Sequence, residues 1–185
     1  MYVRWALGLL IVAMLMGMLV ATGATAAMIF PTIKKIGVQV PAWASDPKAW
    51  MLVAGLPMQK AFTLGDWATA VGVLLAFIFV SPRKGERPTR SMGYTWIGLL
   101  TLGIVTMAEF FLHARMNAIL QDIQSANAGG RPIESGQRHA EFAEWHPIAT
   151  GLMGARFLLL MFIAMLMLVV LSRCSGRAET RKAAA

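Results

Sequence analysis

In the stretch MAEFFLHARMN, residues 107 to 117, a carboxylate and an imidazole stand four residues apart, Glu109 and His113. On a helix that spacing puts both on one face, one turn from each other. Together they can hold and pass a proton. Two further charged residues, Asp66 and Arg156, also stand inside long apolar runs. In hydrocarbon every ionisable group is expensive and needs a partner. A guanidinium suits a carboxylate through two parallel hydrogen bonds, so Arg156 is expected to reach Glu109, with Asp66 or His113 completing the cluster. Two uses are open. One is a proton- or ion-linked site, with Glu109 titrating, His113 relaying and Arg156 tuning the charge. The other is an intramembrane salt bridge that fixes helix register.

Metal chemistry is a weaker option. The chain holds 14 methionines, some grouped as MLMGM and MFIAMLM. Thioethers suit Cu(I), and His113, His139 and His146 could collect it. Methionine is also an ordinary filler of apolar cores, and Met14, Met16 and Met18 do not share one helical face. No metal or cofactor is expected. Phosphate-loop, nucleophile-elbow and zinc-protease motifs are lacking, as are haem-attachment cysteines, so an enzyme is not expected.

The elements that position these residues follow from composition. Of the 185 residues, 57% are hydrophobic and only 14% charged; mean hydropathy is +0.61. Soluble domains carry about 25% charged residues. Trp5 to Ile33 holds no charge, Ala61 to Pro82 only Asp66, Ser91 to Ala114 only Glu109, and Pro147 to Ser172 only Arg156. Each run reaches the roughly 20 residues that cross a bilayer as a helix. The expected fold is an all-α integral membrane protein. Four transmembrane helices, at about 5–30, 62–80, 93–115 and 148–171, form one up-down-up-down bundle over 1–185. The first run exceeds the apolar core of a signal peptide, about 7–15 residues, and is expected to be a retained helix.

Net charge is +8. The basic residues cluster at helix ends: Arg4, the loop SPRKGERPTR, and the tail SRCSGRAETRK within 173–185. Positive charge in short segments beside helices favours the cytoplasmic side, so both termini are expected there, in an inner or plasma-type membrane. Attraction to anionic lipid accounts for this charge, and no nucleic acid is expected. At about 1.5 Å per residue, His113 lies about 3–5 Å, Asp66 roughly 6 Å, Glu109 about 10 Å and Arg156 roughly 13 Å below the outer surface.

Two stripes of small residues, Ala13, Gly17 and Ala21 on helix one and Gly65, Ala68, Gly72 and Ala76 on helix two, invite close helix approach. Pro31 and Pro147 read as helix boundaries. Short interfacial helices are expected in the outer loops, one over DPKAWMLVAGL with Asp46 as its cap, another over IESGQRHAEFAEWH. SANAGGRP reads as a break.

The exit of helix one through AAMIFPTI, the polar LHARMNAIL and the entry FAEWHPIATGLMGARFLLL together resemble the transmembrane protein 205-like family, four-helix membrane proteins of unknown function. The resemblance spans most of the chain and makes Phe30, Phe142 and His146 the matching positions. It implies no firm activity. The association of one eukaryotic member with platinum-drug resistance points toward export of metal or small solutes. The expected function is therefore non-enzymatic: an accessory or scaffold subunit acting through lateral helix packing, in the lipid bilayer with other membrane subunits or copies of itself. The alternative is a small transporter or transport helper for protons, metal ions or a small solute, using the outer-half polar cluster.

Overall fold

The computed structural model describes residues 2–36, 50–82 and 89–183. Four helices account for nearly all of them: α1 (Tyr2–Ile36), α2 (Trp50–Val80), α3 (Arg90–Ala128) and α4 (Pro132–Ala183). All four are long and apolar enough to cross a membrane. No strand occurs among the described residues.

The helices outrun the boundaries expected from sequence. α1 continues through Pro31 to Ile36, α2 begins at Trp50 and passes through Pro57, and α4 passes through Pro147. Pro31 and Pro147 therefore do not end helices. An internal proline forfeits one backbone bond, here to the Ala27 carbonyl at Pro31 and the Ala143 carbonyl at Pro147, while the rest of the helical ladder is kept. IESGQRHAEFAEWH is thus the first part of α4, and MLVAGL belongs to α2 rather than to a separate interfacial helix. Asp46, Pro47 and Trp43 lie outside the described residues.

The expected break between α3 and α4 is a tight helix stop. Arg131 N–H donates to the Ala126 carbonyl at 2.9 Å and Gly130 N–H to the Asn127 carbonyl at 3.1 Å. Gly130 sits at φ 65°, where a residue without Cβ meets no steric penalty. Pro132, with φ preset, then opens α4.

The chain splits into two compact units, each drawing on all four helices. The first comprises Met1–Met18, Trp67–Met107 and Gly154–Ala185. Its core includes Trp5, Val12, Leu99, Leu160, Ile163 and Met167, all buried. Gly72 admits a close neighbour here: a Cβ on it would lie 2.8 Å from Leu15 Cδ1. Gly98 plays the same part, 2.9 Å from Ile163 Cγ1. The end of α2 is satisfied by side chains, Trp96 Nε1–H donating to the Val80 carbonyl at 3.3 Å and Arg4 to the Ser81 carbonyl. Of the small residues on helix two, Gly72 and Ala76 are buried and Gly65 and Ala68 half-buried. Ala13, Gly17 and Ala21 on α1 are exposed instead, and nothing lies within 4 Å of a Cβ built on Gly17.

The second unit comprises Leu19–Asp66 and Ala108–Met153. Leu52, Ile119, Leu120 and Ile123 form one apolar cluster, with Leu56, Phe142 and Trp145 against it. Leu112, Met116 and Ala149 form another, sharing Phe142 and Trp145. Polar staples hold its surface. Glu141 accepts from Arg115 at 2.8 Å and Arg138 at 2.6 Å, and the Arg115 guanidinium lies 5.1 Å over the Trp145 ring. These residues precede the apolar run that starts at Pro147. The hydrogen bond from Arg138, aided by Arg115, holds the Glu141 carboxyl below its ordinary range despite desolvation.

Candidate functional site

The site belongs to the second unit and starts with one face of α2. Because the helix begins ahead of Pro57, Gln59, Phe62 and Asp66 fall three and four residues apart and share a face. α3 supplies His113 on its own apolar turn. His113 Nδ1 lies 2.5 Å from Asp66 Oδ2, and their side chains are 2% and 0% exposed. A hydrogen bond between these two groups satisfies polar atoms that burial takes out of water. It is also what makes the pair tolerable in an apolar interior. Gln59 Nε2 donates to the His113 backbone carbonyl at 2.9 Å. The Phe62 ring stacks on the imidazole, centroids 5.6 Å apart and 19° from parallel. Position and tilt of His113 are thereby set by three residues of α2.

His113 forms part of the wall of a cavity of about 580 Å³. That size falls in the range of small-molecule sites, about 300–1,000 Å³. α1 contributes Ala26, Ala27, Phe30 and Pro31; α2 contributes Gly55, Met58, Gln59 and Phe62. α3 adds Met116 and Leu120, and α4 adds Phe142, His146, Ala149, Thr150 and Met153. Phe142 stacks on His146, centroids 5.7 Å apart and 22° from parallel. Among the described residues the lining is mostly apolar, with no Asp, Glu, Lys or Arg and few polar groups. Such a space takes up a neutral molecule more readily than an ion, because nothing on its wall offsets the loss of ionic hydration.

The residues singled out in the sequence distribute unevenly. Asp66 and His113 meet directly. Glu109 is fully buried in the same unit, one turn along α3 from His113, while Arg156, 2% exposed, belongs to the first unit. Phe30, Phe142 and His146 all line the cavity. His139 is not part of its lining, so the three histidines weighed for copper are not gathered there. Among the described residues no grouping of three or more His, Cys, Asp or Glu could hold a metal ion.

Sequence reasoning missed Gln59, Phe62 and Met58, because helix two was expected to begin at about 62. The available signal was the helical spacing of Gln59 and Phe62 with Asp66. No protein-family model matches the chain, and neither a curated protein nor a solved structure matches it.

Proposed function

We propose that this chain is a non-enzymatic integral membrane protein that takes a small, neutral, largely apolar solute into the cavity of its second unit, as a carrier or transport helper. In this reading the four helices run up-down-up-down, with both termini cytoplasmic. One observation carries it: a buried imidazole, fixed by Asp66 at 2.5 Å, forms part of the wall of an otherwise apolar space of about 580 Å³. Well-formed apolar pockets with a few convergent polar groups are the default binding sites of proteins.

Ala149 supplies the test. It lines the cavity yet is only 4% exposed, so a reagent that reaches it has entered that space. With Cys174→Ser removing the one native thiol, Ala149→Cys in lipid vesicles should react with N-ethylmaleimide, and naphthalene should slow the reaction. Labelling unaffected by saturating naphthalene would count against solute uptake.

A second reading has its own support. Ala13, Gly17 and Ala21 are exposed along α1 with open space at Gly17, as a helix offered to another chain would be. In this reading the chain is an accessory or scaffold subunit. Gly17→Leu should then shrink the particle extracted in mild detergent. An unchanged particle size would remove this support.

A further inference from the structure

We infer that the solute is a neutral aromatic alcohol of the phenol class, its hydroxyl donating a hydrogen bond to His113 Nε2. The inference rests on the cavity reading above and names its ligand chemistry. Asp66 occupies Nδ1 at 2.5 Å. A carboxylate at one ring nitrogen holds the proton on that nitrogen and leaves the lone pair on the other. Nε2 is therefore the acceptor that His113 has left to offer.

Two other groups on the wall add acceptors. Gln59 donates one amide N–H to the His113 carbonyl, which leaves its side-chain oxygen as an acceptor and its second N–H as a donor. Thr150 spends its hydroxyl proton on the His146 carbonyl, which leaves oxygen lone pairs. A ligand that donates finds several acceptors on this wall. Among the described residues the lining carries no charged side chain, which selects against ions of either sign. The rest of the ligand is specified by rings: Phe62 and Phe142 lie nearly parallel to the two imidazoles, a setting for a flat aromatic body.

The test compares three probes of similar shape by titration calorimetry on the detergent-solubilised full chain. These are 2-naphthol, its methyl ether 2-methoxynaphthalene, and 2-acetylnaphthalene, which can only accept. A site built around a hydroxyl rejects analogues lacking it. We expect 2-naphthol to bind at least about tenfold more tightly than either analogue, as one buried hydrogen bond to a polar partner allows. His113→Phe should reduce that preference below about threefold, read as the ratio of the naphthol and methyl-ether affinities in that variant. Asp66→Asn, which keeps the side-chain size, should reduce it as well, because the tautomer is no longer fixed. Equal binding of naphthol and its ether to the unaltered chain would overturn the hydroxyl assignment and leave uptake standing. Tighter binding of 2-acetylnaphthalene would overturn it too, by showing a donor at His113. If none of the three binds, cavity uptake itself fails.

Discussion

Replacing Asp66 with leucine removes the carboxyl group that lies 2.5 Å from His113 Nδ1 and puts an apolar side chain against that buried ring nitrogen. Two magnitudes compete. Interhelical hydrogen bonds within membranes average only about 0.6 kcal/mol, because the unfolded chain in lipid finds partners too. Breaking a buried ion pair by removing one member costs about 3–5 kcal/mol. The Asp66–His113 contact is short, involves a charge-bearing residue, and has both side chains at 2% exposure or less. It therefore lies between the two figures, nearer the upper one, and we expect about 2–3 kcal/mol for Asp66→Leu. His113→Phe should cost a similar amount, because it removes the imidazole that the buried carboxyl group bonds. The double variant puts apolar groups on both sides, which is often close to neutral. It should recover most of the loss and end within about 1 kcal/mol of the unaltered chain, giving a coupling of about 3–5 kcal/mol in a double-mutant cycle. Reversible unfolding in mixed micelles, driven by an increasing fraction of denaturing detergent, reads all four species. Additive single losses, with coupling under about 0.5 kcal/mol, would refute a mutually dependent buried pair.

Three further outcomes follow from the packing. A Cβ on Gly72 would sit 2.8 Å from Leu15 Cδ1, so Gly72→Ala should destabilise by about 1 kcal/mol through overpacking. The same change at Gly17, with nothing within 4 Å, should stay within about 0.5 kcal/mol by the same unfolding assay. Gly130→Ala places a Cβ at φ 65° and should cost about 1 kcal/mol, read as faster amide exchange at the start of α4. Glu141 is held below its ordinary carboxyl range chiefly by Arg138, so its contribution is present above that range and is lost as pH falls through the lower folded value. Amide exchange over 132–145 should accelerate on that descent in the unaltered chain, and a Glu141→Gln variant should lack the step.

The four membrane-length helices were legible because a run such as Trp5 to Ile33, with no charge over its whole length, has few stable settings other than a bilayer. Helix ends were less legible. Pro31 and Pro147 read as stops by rules drawn largely from water, where a broken backbone bond is readily replaced by solvent. In an apolar setting continuing the helix keeps the other backbone bonds, and α1, α2 and α4 do so. That error hid Met58 and Gln59, which were expected in a loop ahead of the helix that starts at about Phe62.

Individual site residues were legible through cost. Asp66, Glu109, His113 and Arg156 stood out as charges or imidazole in apolar runs, and each is at most 2% exposed. Their pairing was less legible. Spacing shows that Glu109 and His113 share a face, but the 2.5 Å contact of His113 with Asp66 depends on the rotation of α2 against α3, which no local pattern records. Phe30, Phe142 and His146 came from a resemblance rather than from periodicity, and they line the cavity beside His113.

The most direct measurement is the position of a heavy atom. Crystals of the full chain grown with 6-bromo-2-naphthol and recorded at the bromine edge locate the ligand from its anomalous signal. We expect one strong bromine peak inside the cavity of the second unit, with the naphthol oxygen within hydrogen-bond distance of His113 Nε2. A cavity without bromine, with peaks confined to the lipid-facing surfaces of the helices, would contradict solute uptake at this site.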